Sequence, residues 1–244
     1  MEAIVINNLY KKFKDTVAVN HLDLIINDGE LFALLGVNGA GKTTTIKMLT
    51  GLTALTEGDA FIFGKSIKTQ MDSIKPLLDI SMQETAVARK LTVEENIVFY
   101  AELKGKDKNE IAQIKEFLYD KLELRKVANK RADQLSGGYQ RKLSIALSLI
   151  GNPKILFLDE PTLGLDVIAR RELWNVINKL KKQMTIILTT HYMEEAEALA
   201  DRIGIMKDGK LLFVGTKYEL FETTKKQNIE EAFISVVSGG GLNV

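Results

Sequence analysis

A glycine-rich run with one lysine is the stretch whose residue types point most clearly to chemistry. Residues 36–44 read Gly-Val-Asn-Gly-Ala-Gly-Lys-Thr-Thr and fit the pattern G-x-x-x-x-G-K-S/T. Glycines allow a backbone to wrap closely around a polyphosphate, so that successive N–H groups point at the anion. Lys42 can reach the β- and γ-phosphates, and the Thr43 hydroxyl can ligate Mg²⁺. The run predicts a phosphate-binding loop.

Two flanking segments must position this loop. Residues 31–35 are all apolar and predict a short buried strand just before it. Residues 43–51 predict a helix that ends at a glycine, with Ile46 and Leu49 facing inward. The N-terminus of that helix would present the positive end of its dipole to the same anion. Strand, loop and helix follow one another in the order that such a site requires.

Two further strands are expected to end in residues with acid–base chemistry. Residues 155–158 and 185–190 read as parallel strands that are covered on both faces. The first is followed by Asp159 and Glu160, and the second by His191. Ligands of open α/β sheets bind beyond the carboxyl ends of the strands. We therefore expect the two carboxylates, the histidine and the phosphate loop to share one catalytic pocket.

A second exposed helix start lies about a hundred residues after the first. Residues 135–138 read Leu-Ser-Gly-Gly and open a long helix that closes at Gly-Asn-Pro, residues 151–153. Ser136 is a natural N-cap, and a helix start with two glycines can bind an anion. On these residues alone, a plain helix cap is the usual explanation of the pattern.

The remaining segments predict a β layer, a helical insertion and a C-terminal part. Tyr10 and Phe13 are expected in the loop between the first two strands, where an aromatic ring could stack on a base. The expected strands are residues 2–6, 17–26 and 57–64, one that follows a helix within residues 66–80, and a terminal hairpin of residues 203–207 and 211–214. The expected helices follow a capping box at Thr92 and Glu95 and then cover residues 109–119, 121–129, 136–150, 167–180, 193–200 and 229–237.

Composition excludes several classes of function. The chain has 244 residues, of which 45% are hydrophobic and 27% charged, so a globular protein is expected. Its formal net charge of +1 gives no broad basic field, and no nucleic-acid partner is expected. There is no cysteine, and the first residues lack the features of a signal peptide. No apolar run approaches the roughly 18 residues that a membrane span needs.

Taken together, these motifs resemble the ATP-binding subunit of an ATP-binding cassette (ABC) transporter, over nearly the full chain. Residues 135–138 match the family signature and lie between the phosphate loop and the strand that ends in Asp-Glu. Gln83 is similar in position to the Q-loop glutamine, residues 164–166 resemble the D-loop, and His191 resembles the switch histidine. Phe13 is better placed than Tyr10 to be the adenine-stacking aromatic.

The resemblance implies a fold and a division of the chain. The expected fold is α/β, with a P-loop NTPase core, a mainly parallel sheet, an N-terminal antiparallel β subdomain and a helical insertion subdomain. Residues 1–220 would form the ABC ATPase domain, with the β layer and core in 1–85 and 149–220 and the helical subdomain in 86–148. Residues 221–244 would form a C-terminal helix and a flexible tail.

The resemblance also implies ATP and Mg²⁺ as ligands and a role for each site residue. Glu160 would be the general base, His191 would hold the γ-phosphate and the attacking water, and Thr43, Gln83 and Asp159 would hold the metal. The residues expected to contact ATP are Phe13, Gly36, Asn38, Gly39, Ala40, Gly41, Lys42, Thr43, Thr44, Gln83, Ser136, Gly137, Gly138 and Asp166.

The partners follow from the same resemblance. A second copy of the chain, or a homologous ATPase subunit, would complete a head-to-tail dimer with ATP between residues 36–44 of one subunit and residues 136–138 of the other. Integral membrane permease subunits would dock near residues 84–91, which places the chain at the cytoplasmic face of the membrane as a peripheral protein. Residues 43–51, 193–197 and 228–233 resemble a subfamily of mostly bacterial exporters. One residue departs from the family: Tyr139 follows the signature in place of glutamine.

Three other functions share some of these features. A GTPase would need an Asn-Lys-x-Asp guanine reader, and residues 129–133 contain one residue too many for it. A soluble ABC protein in translation or DNA repair usually carries two cassettes or a long coiled-coil insertion, which this chain lacks. A small-molecule kinase is disfavoured because Glu160 and His191 would both be directed at water.

Overall fold

Two β-sheets form the frame of the computed structural model, which describes residues 1–181 and 183–239. The strands are, in chain order, β1 (Glu2–Phe13), β2 (Thr16–Asn27), β3 (Leu31–Leu35), β4 (Glu57–Ile62), β5 (Lys65–Ser66), β6 (Leu78–Ser81), β7 (Ile155–Asp159), β8 (Thr185–Thr190), β9 (Arg202–Lys207) and β10 (Lys210–Gly215). The α-helices are α1 (Lys42–Leu49), α2 (Met71–Ile74), α3 (Val93–Leu103), α4 (Lys108–Leu122), α5 (Gly137–Leu149), α6 (Val167–Lys181), α7 (Met193–Leu199), α8 (Lys217–Thr224) and α9 (Ile229–Val237).

The larger sheet positions the polar residues that follow its strands. Its order is β10-β9-β3-β8-β7-β6, and every pair is parallel except β9 with β10. All residues of β3, β7 and β8 are buried, as expected for strands covered on both faces. These three strands are neighbours, with Leu35 opposite Thr190 and Asp159 opposite Thr189. Their carboxyl ends therefore meet at one edge, and the expected α/β fold is confirmed.

The smaller sheet is antiparallel, in the order β2-β1-β4-β5. The expected N-terminal β layer is therefore present, but its first strand is longer than predicted and extends to Phe13. Tyr10 and Phe13 lie in this strand, so their expected position in a loop is wrong. Register shifts along the β1–β2 pair interrupt the alternation of apolar and polar residues, which conceals the second half of the strand from pattern analysis.

The helical insertion matches the sequence in its first helix and differs later. Thr92 and Glu95 form the predicted capping box at the start of α3. Helix α4 covers the predicted helix at residues 109–119, but the helix expected at residues 121–129 is wrong. Glu123 adopts a left-handed conformation that ends α4, and only a single 3₁₀ turn, Arg125–Val127, follows.

The helix expected early in residues 66–80 is reduced to the single turn of α2. Pro76 follows it at once, in the 3₁₀ turn Lys75–Leu77, and proline cannot continue an α-helix. At the C-terminal end, the hairpin of β9 and β10 and the last helix, α9, are confirmed, while α8 was not predicted. The expected flexible tail lies largely outside the described residues. Within residues 1–181 and 183–239, no helix has the length and hydropathy to cross a membrane.

Candidate functional site

The glycine-rich run of residues 36–44 connects β3 to α1, as the sequence predicts. Its backbone is packed so closely that two glycines are required. A Cβ at Gly36 would lie 2.4 Å from the carbonyl oxygen of Met206 on β9, and a Cβ at Gly41 would lie 2.3 Å from that of Ala18. Gly41 also has φ of 105°, which side chains rarely adopt. The loop is therefore held against both sheets.

A cavity of about 330 Å³ opens over this loop. Polar residues from four separate parts of the chain line it, because the carboxyl ends of β3, β6, β7 and β8 meet at this edge of the sheet. Its lining residues are Ala18, Asn38, Gly39, Ala40, Gly41, Lys42, Thr43, Thr44, Gln83, Glu160, Leu163 and His191. Of these, Ala18 and Leu163 were not predicted, because neither contains a chemically informative side chain.

Lys42 lies at the base of the cavity and is 5% exposed. Its Nζ donates hydrogen bonds to the carbonyl oxygens of Gly36 at 2.7 Å and Val37 at 3.2 Å, and it lies 3.2 Å from Glu160 Oε1. The ammonium group is thus oriented by the loop itself and paired with one carboxylate. A buried lysine held in this way presents its charge to an anion that enters the cavity.

Glu160 is held from both sides. Its Oε1 faces Lys42, and its Oε2 lies 2.7 Å from His191 Nδ1. The backbone at Glu160 has φ of 47°, a left-handed conformation that costs about 1–3 kcal/mol in a residue other than glycine. Its N–H donates to the backbone oxygen and the hydroxyl of Thr189, both at 3.1 Å. These contacts fix the carboxylate at the carboxyl end of β7, next to the phosphate loop.

Asp159 and Thr43 provide oxygen atoms suited to a magnesium ion. The Thr43 hydroxyl donates to Asp159 Oδ1 at 2.9 Å, and the Thr189 hydroxyl donates to the same atom at 2.6 Å. Asp159 is fully buried, and its Oδ2 has no hydrogen-bond partner in the described part of the chain. Buried carboxylate oxygens are normally satisfied, and Mg²⁺ prefers oxygen ligands. The unpaired oxygen therefore fits a metal that also binds nucleotide phosphates.

No larger set of metal-ligating side chains is present among the described residues, in which no group of three or more His, Cys, Asp or Glu could hold an ion. Gln83 is exposed and lines the same cavity. Its backbone carbonyl oxygen accepts a hydrogen bond from the Arg141 guanidinium at 2.7 Å, a contact that the sequence pattern did not reveal.

Several of the predicted site residues do not line this cavity: Phe13, Gly36, Ser136, Gly137, Gly138, Asp159 and Asp166. Of the two carboxylates expected to share it, only Glu160 lines it, because Asp159 is fully buried. Ser136 and Gly137 are exposed at the start of α5. Ser136 occupies the N-cap position as predicted, but its side chain makes no capping hydrogen bond. The signature therefore presents a free helix start to solvent, away from the phosphate loop of its own chain.

Phe13 and Asp166 have local contacts instead. Phe13 is 47% exposed, and Lys11 Nζ lies 4.6 Å from the centre of its ring. Asp166 Oδ1 accepts hydrogen bonds from the N–H groups of Ile168 and Ala169, both at 2.9 Å, and so caps α6. In a single chain, Phe13 remains available for stacking, whereas the carboxylate of Asp166 organises its own helix.

Comparison with known proteins agrees with this geometry. The profile of the family described as ABC transporter matches residues 19–163. "ABC transporter A family member 6" of Dictyostelium discoideum is 46% identical over 87% of this chain, and "ABC transporter A family member 9" of Arabidopsis thaliana is 44% identical over 91%. The human "Retinal-specific phospholipid-transporting ATPase ABCA4" is 40% identical over 87%. The chain spans only 13%, 23% and 10% of these relatives.

Solved structures show the same fold. A structure described as the ATP binding subunit of an ABC transporter superposes with a TM-score of 0.84 at 24% identity, covering 96% of this chain and 99% of that one. The cbiO1 protein of Clostridium perfringens, described as part of the ABC transporter complex cbiONQ, gives 0.84 at 25% identity, covering 91% of each chain. With its phosphate loop, strand-end carboxylates and signature helix in this fold, the chain belongs to the ABC transporter family as an ATP-binding domain.

Proposed function

We propose that this chain binds and hydrolyses ATP with Mg²⁺ and thereby drives transport through separate membrane subunits. The observation that carries the proposal is the position of Glu160, which is held between Lys42 and His191 at the edge of the phosphate-loop cavity. A carboxylate so placed can polarise a water molecule next to a bound γ-phosphate.

In the proposed reaction, Lys42 and the loop amides hold the phosphates. Thr43, Gln83 and Asp159 would hold Mg²⁺, which when bound neutralises charge on the phosphate oxygens. Lys42 is already oriented by two loop carbonyl groups, so a phosphate needs to replace only its contact with Glu160. Release of that contact leaves the carboxylate of Glu160 free to accept a proton from water.

His191 completes the arrangement by orienting Glu160. Its Nδ1 lies 2.7 Å from Glu160 Oε2, and the residue lines the cavity, so the other side of the imidazole could contact a bound ligand. We infer that this side holds the γ-phosphate and the attacking water in line. Positioning of this kind accounts for much of the catalysis in phosphoryl transfer.

The second wall of the ATP site is proposed to come from a partner, either a second copy or a homologous ATPase subunit. The start of α5, exposed at Ser136 and Gly137, lies outside the cavity of its own chain and would supply an anion-binding helix terminus. In a head-to-tail dimer it would cover the phosphates held by the other subunit. Phe13 would stack on the adenine, and Asp166 would lie at the interface between the subunits.

The membrane partners are proposed to be integral permease subunits that dock near residues 84–91. The buried side chain of Asn96 shapes this segment through hydrogen bonds with the N–H and carbonyl groups of Ala88. Docking there would place the chain at the cytoplasmic face of the membrane as a peripheral protein, in a transporter of the exporter type. The relatives named above are described as transporters, so a soluble switch in translation or DNA repair is not favoured.

The proposal is tested by replacing Glu160 with glutamine. This substitution keeps the shape of the side chain but removes the base, so we expect ATP turnover to fall roughly 10²–10⁴-fold while ATP binding is retained. Lys42→Ala removes the phosphate contact, so ATP affinity itself should fall. Both quantities are measured with purified chain, by phosphate release and by titration calorimetry.

Two results would contradict the proposal. Unchanged turnover in Glu160→Gln would show that the carboxylate is not the base. Intact ATP affinity in Lys42→Ala would show that the phosphates do not bind in this loop. The exposed Glu194→Gln variant, three residues after His191, serves as a control for a neutralised carboxylate outside the cavity and should retain both properties.

A further inference from the structure

One buried cation joins the two parts of the chain that would belong to different ATP sites. Arg141 lies on α5, three residues after Gly138, and is 5% exposed. Its Nη1 donates to the carbonyl oxygen of Met82 at 2.6 Å, and its Nη2 donates to that of Gln83 at 2.7 Å. The guanidinium therefore binds two successive backbone carbonyl groups next to Gln83, which lines the cavity.

A second contact fixes the same helix to the same strand. Ser144, further along α5, lies with its Oγ 3.0 Å from Ser81 Oγ at the end of β6, and both are buried. A planar guanidinium that binds two carbonyls fixes the direction of the backbone as well as its position, which a single hydroxyl contact cannot do. Movement of the backbone at Gln83 must therefore be accompanied by movement of α5.

Burial and neighbouring carboxylates act on the charge of Arg141 in opposite directions. Burial lowers the pKa of the Arg141 guanidinium, while the carboxylates of Asp159 and Glu195 raise it. The cation thus lies close to the strand end that holds the candidate metal oxygens.

We propose that Arg141 is a positioning residue that couples the two ATP sites of the dimer. The inference rests on the head-to-tail dimer proposed above. There, Gln83 acts in the site built on its own phosphate loop, whereas Ser136–Gly138 acts in the site of the partner. When ATP draws Gln83 inward in one site, Arg141 transmits the shift to α5 and so to the signature in the other. ATP binding at one site then favours ATP binding at the second.

The test is the dependence of ATP turnover on ATP concentration in the wild-type chain and three variants. Arg141→Met removes both hydrogen bonds, and Arg141→Lys keeps the charge but cannot bind two carbonyls in a fixed fork. Ser144→Ala is the matched control, because it removes the other buried contact between α5 and β6 without touching Gln83. Thermal unfolding of each variant is recorded in parallel.

We expect positive cooperativity in the wild-type chain, with a Hill coefficient above one and at most two for two sites. It should fall toward one in Arg141→Met and Arg141→Lys and remain at the wild-type value in Ser144→Ala. A merely structural role would lower the unfolding temperature of the Arg141 and Ser144 variants without changing the Hill coefficient. If Arg141→Met does not fold, Arg141→Lys alone decides the question.

Two results would overturn the coupling while leaving the proposed function intact. One is a cooperative wild-type chain whose Hill coefficient is unchanged in both Arg141 variants. The other is a non-cooperative wild-type chain that nevertheless forms an ATP-dependent dimer in the Glu160→Gln background. Absence of that dimer at saturating ATP would instead remove the proposed assembly, and with it the coupling.

Discussion

At the scale of single residues, the two adjacent carboxylates of the site differ in whether both of their oxygens have partners. Glu160 uses one oxygen for Lys42 and the other for His191, while one buried oxygen of Asp159 has no hydrogen-bond partner among the residues that the structure describes. The two adjacent carboxylates therefore have different roles even though both end the same strand. In the proposed function, the paired carboxylate acts on water and the unpaired one binds Mg²⁺.

A third carboxylate, Glu195, lies buried behind them and supplies a prediction about pH. Burial raises its pKa above the ordinary value of 4.5, and the charge of Glu160 also raises it, while Thr190, Thr162 and Trp174 act in the opposite direction. Trp174 donates a hydrogen bond to it at 3.0 Å. The folded chain therefore binds the proton of Glu195 more tightly than the unfolded chain does. The stability that this proton contributes is fully present below pH 4.5 and is lost as the pH rises through the folded pKa.

Glu195→Gln should remove this dependence, because glutamine imitates the neutral acid and keeps an acceptor for Trp174. As pH rises from 5 to 8, we expect the wild-type chain to lose stability relative to the variant, by at most about 1.4 kcal/mol per pH unit. Thermal unfolding across this range measures the difference. A constant difference between the two chains would contradict the prediction.

Single residues also show what the sequence reveals about the site. The phosphate-loop residues could be predicted because the motif is contiguous and its order is diagnostic. Arg141 could not, because its acceptors lie 59 and 58 residues away in sequence and are backbone oxygens that any residue type would provide. Only the packing of α5 against β6 brings them together.

At the scale of elements, the phosphate loop contains two glycines with positive φ whose surroundings differ. Gly41 has φ of 105°, and a Cβ there would lie 2.3 Å from the Ala18 carbonyl oxygen. Gly39 also has a positive φ, of 83°, but a Cβ there would meet nothing within 4 Å. An alanine at Gly39 would therefore experience backbone strain alone, whereas an alanine at Gly41 would experience strain and a steric clash.

Gly39→Ala should cost only the strain of a left-handed alanine, about 1–2 kcal/mol in the free energy of unfolding. Gly41→Ala should cost more, because the loop must also move away from β2, and ATP affinity should fall with it. Chemical denaturation and calorimetry of both variants measure these effects. Equal losses in the two variants would show that the contact with Ala18 does not constrain the loop.

Elements were predictable where one pattern covered their whole length. The strands β3 and β7 are uniformly buried and were recognised from their apolar runs. The second half of β1 was missed because register shifts disturb its alternation, and the end of α4 was missed because Glu123 adopts a conformation more typical of glycine. In both places tertiary packing overrides a local preference.

At the scale of the whole molecule, the described chain contains a phosphate loop and a Leu-Ser-Gly-Gly signature, and the signature does not line the loop cavity. Residues that follow the carboxyl ends of β3, β7 and β8 line the loop cavity, whereas Ser136 lies exposed at the start of α5. This separation is the reason for proposing that ATP is enclosed only when two subunits associate head-to-tail.

The most direct test of this arrangement uses the absence of cysteine in the chain. Val37→Cys and Ser136→Cys are placed on separate chains, each in the Glu160→Gln background that retains ATP. Val37 is 50% exposed in the phosphate loop, and Ser136 is exposed in the signature. With ATP and a short bis-maleimide, the mixture should give a cross-linked dimer, whereas neither variant alone should do so. Cross-linking of Val37→Cys with itself, or none in the mixture at saturating ATP, would contradict the head-to-tail site.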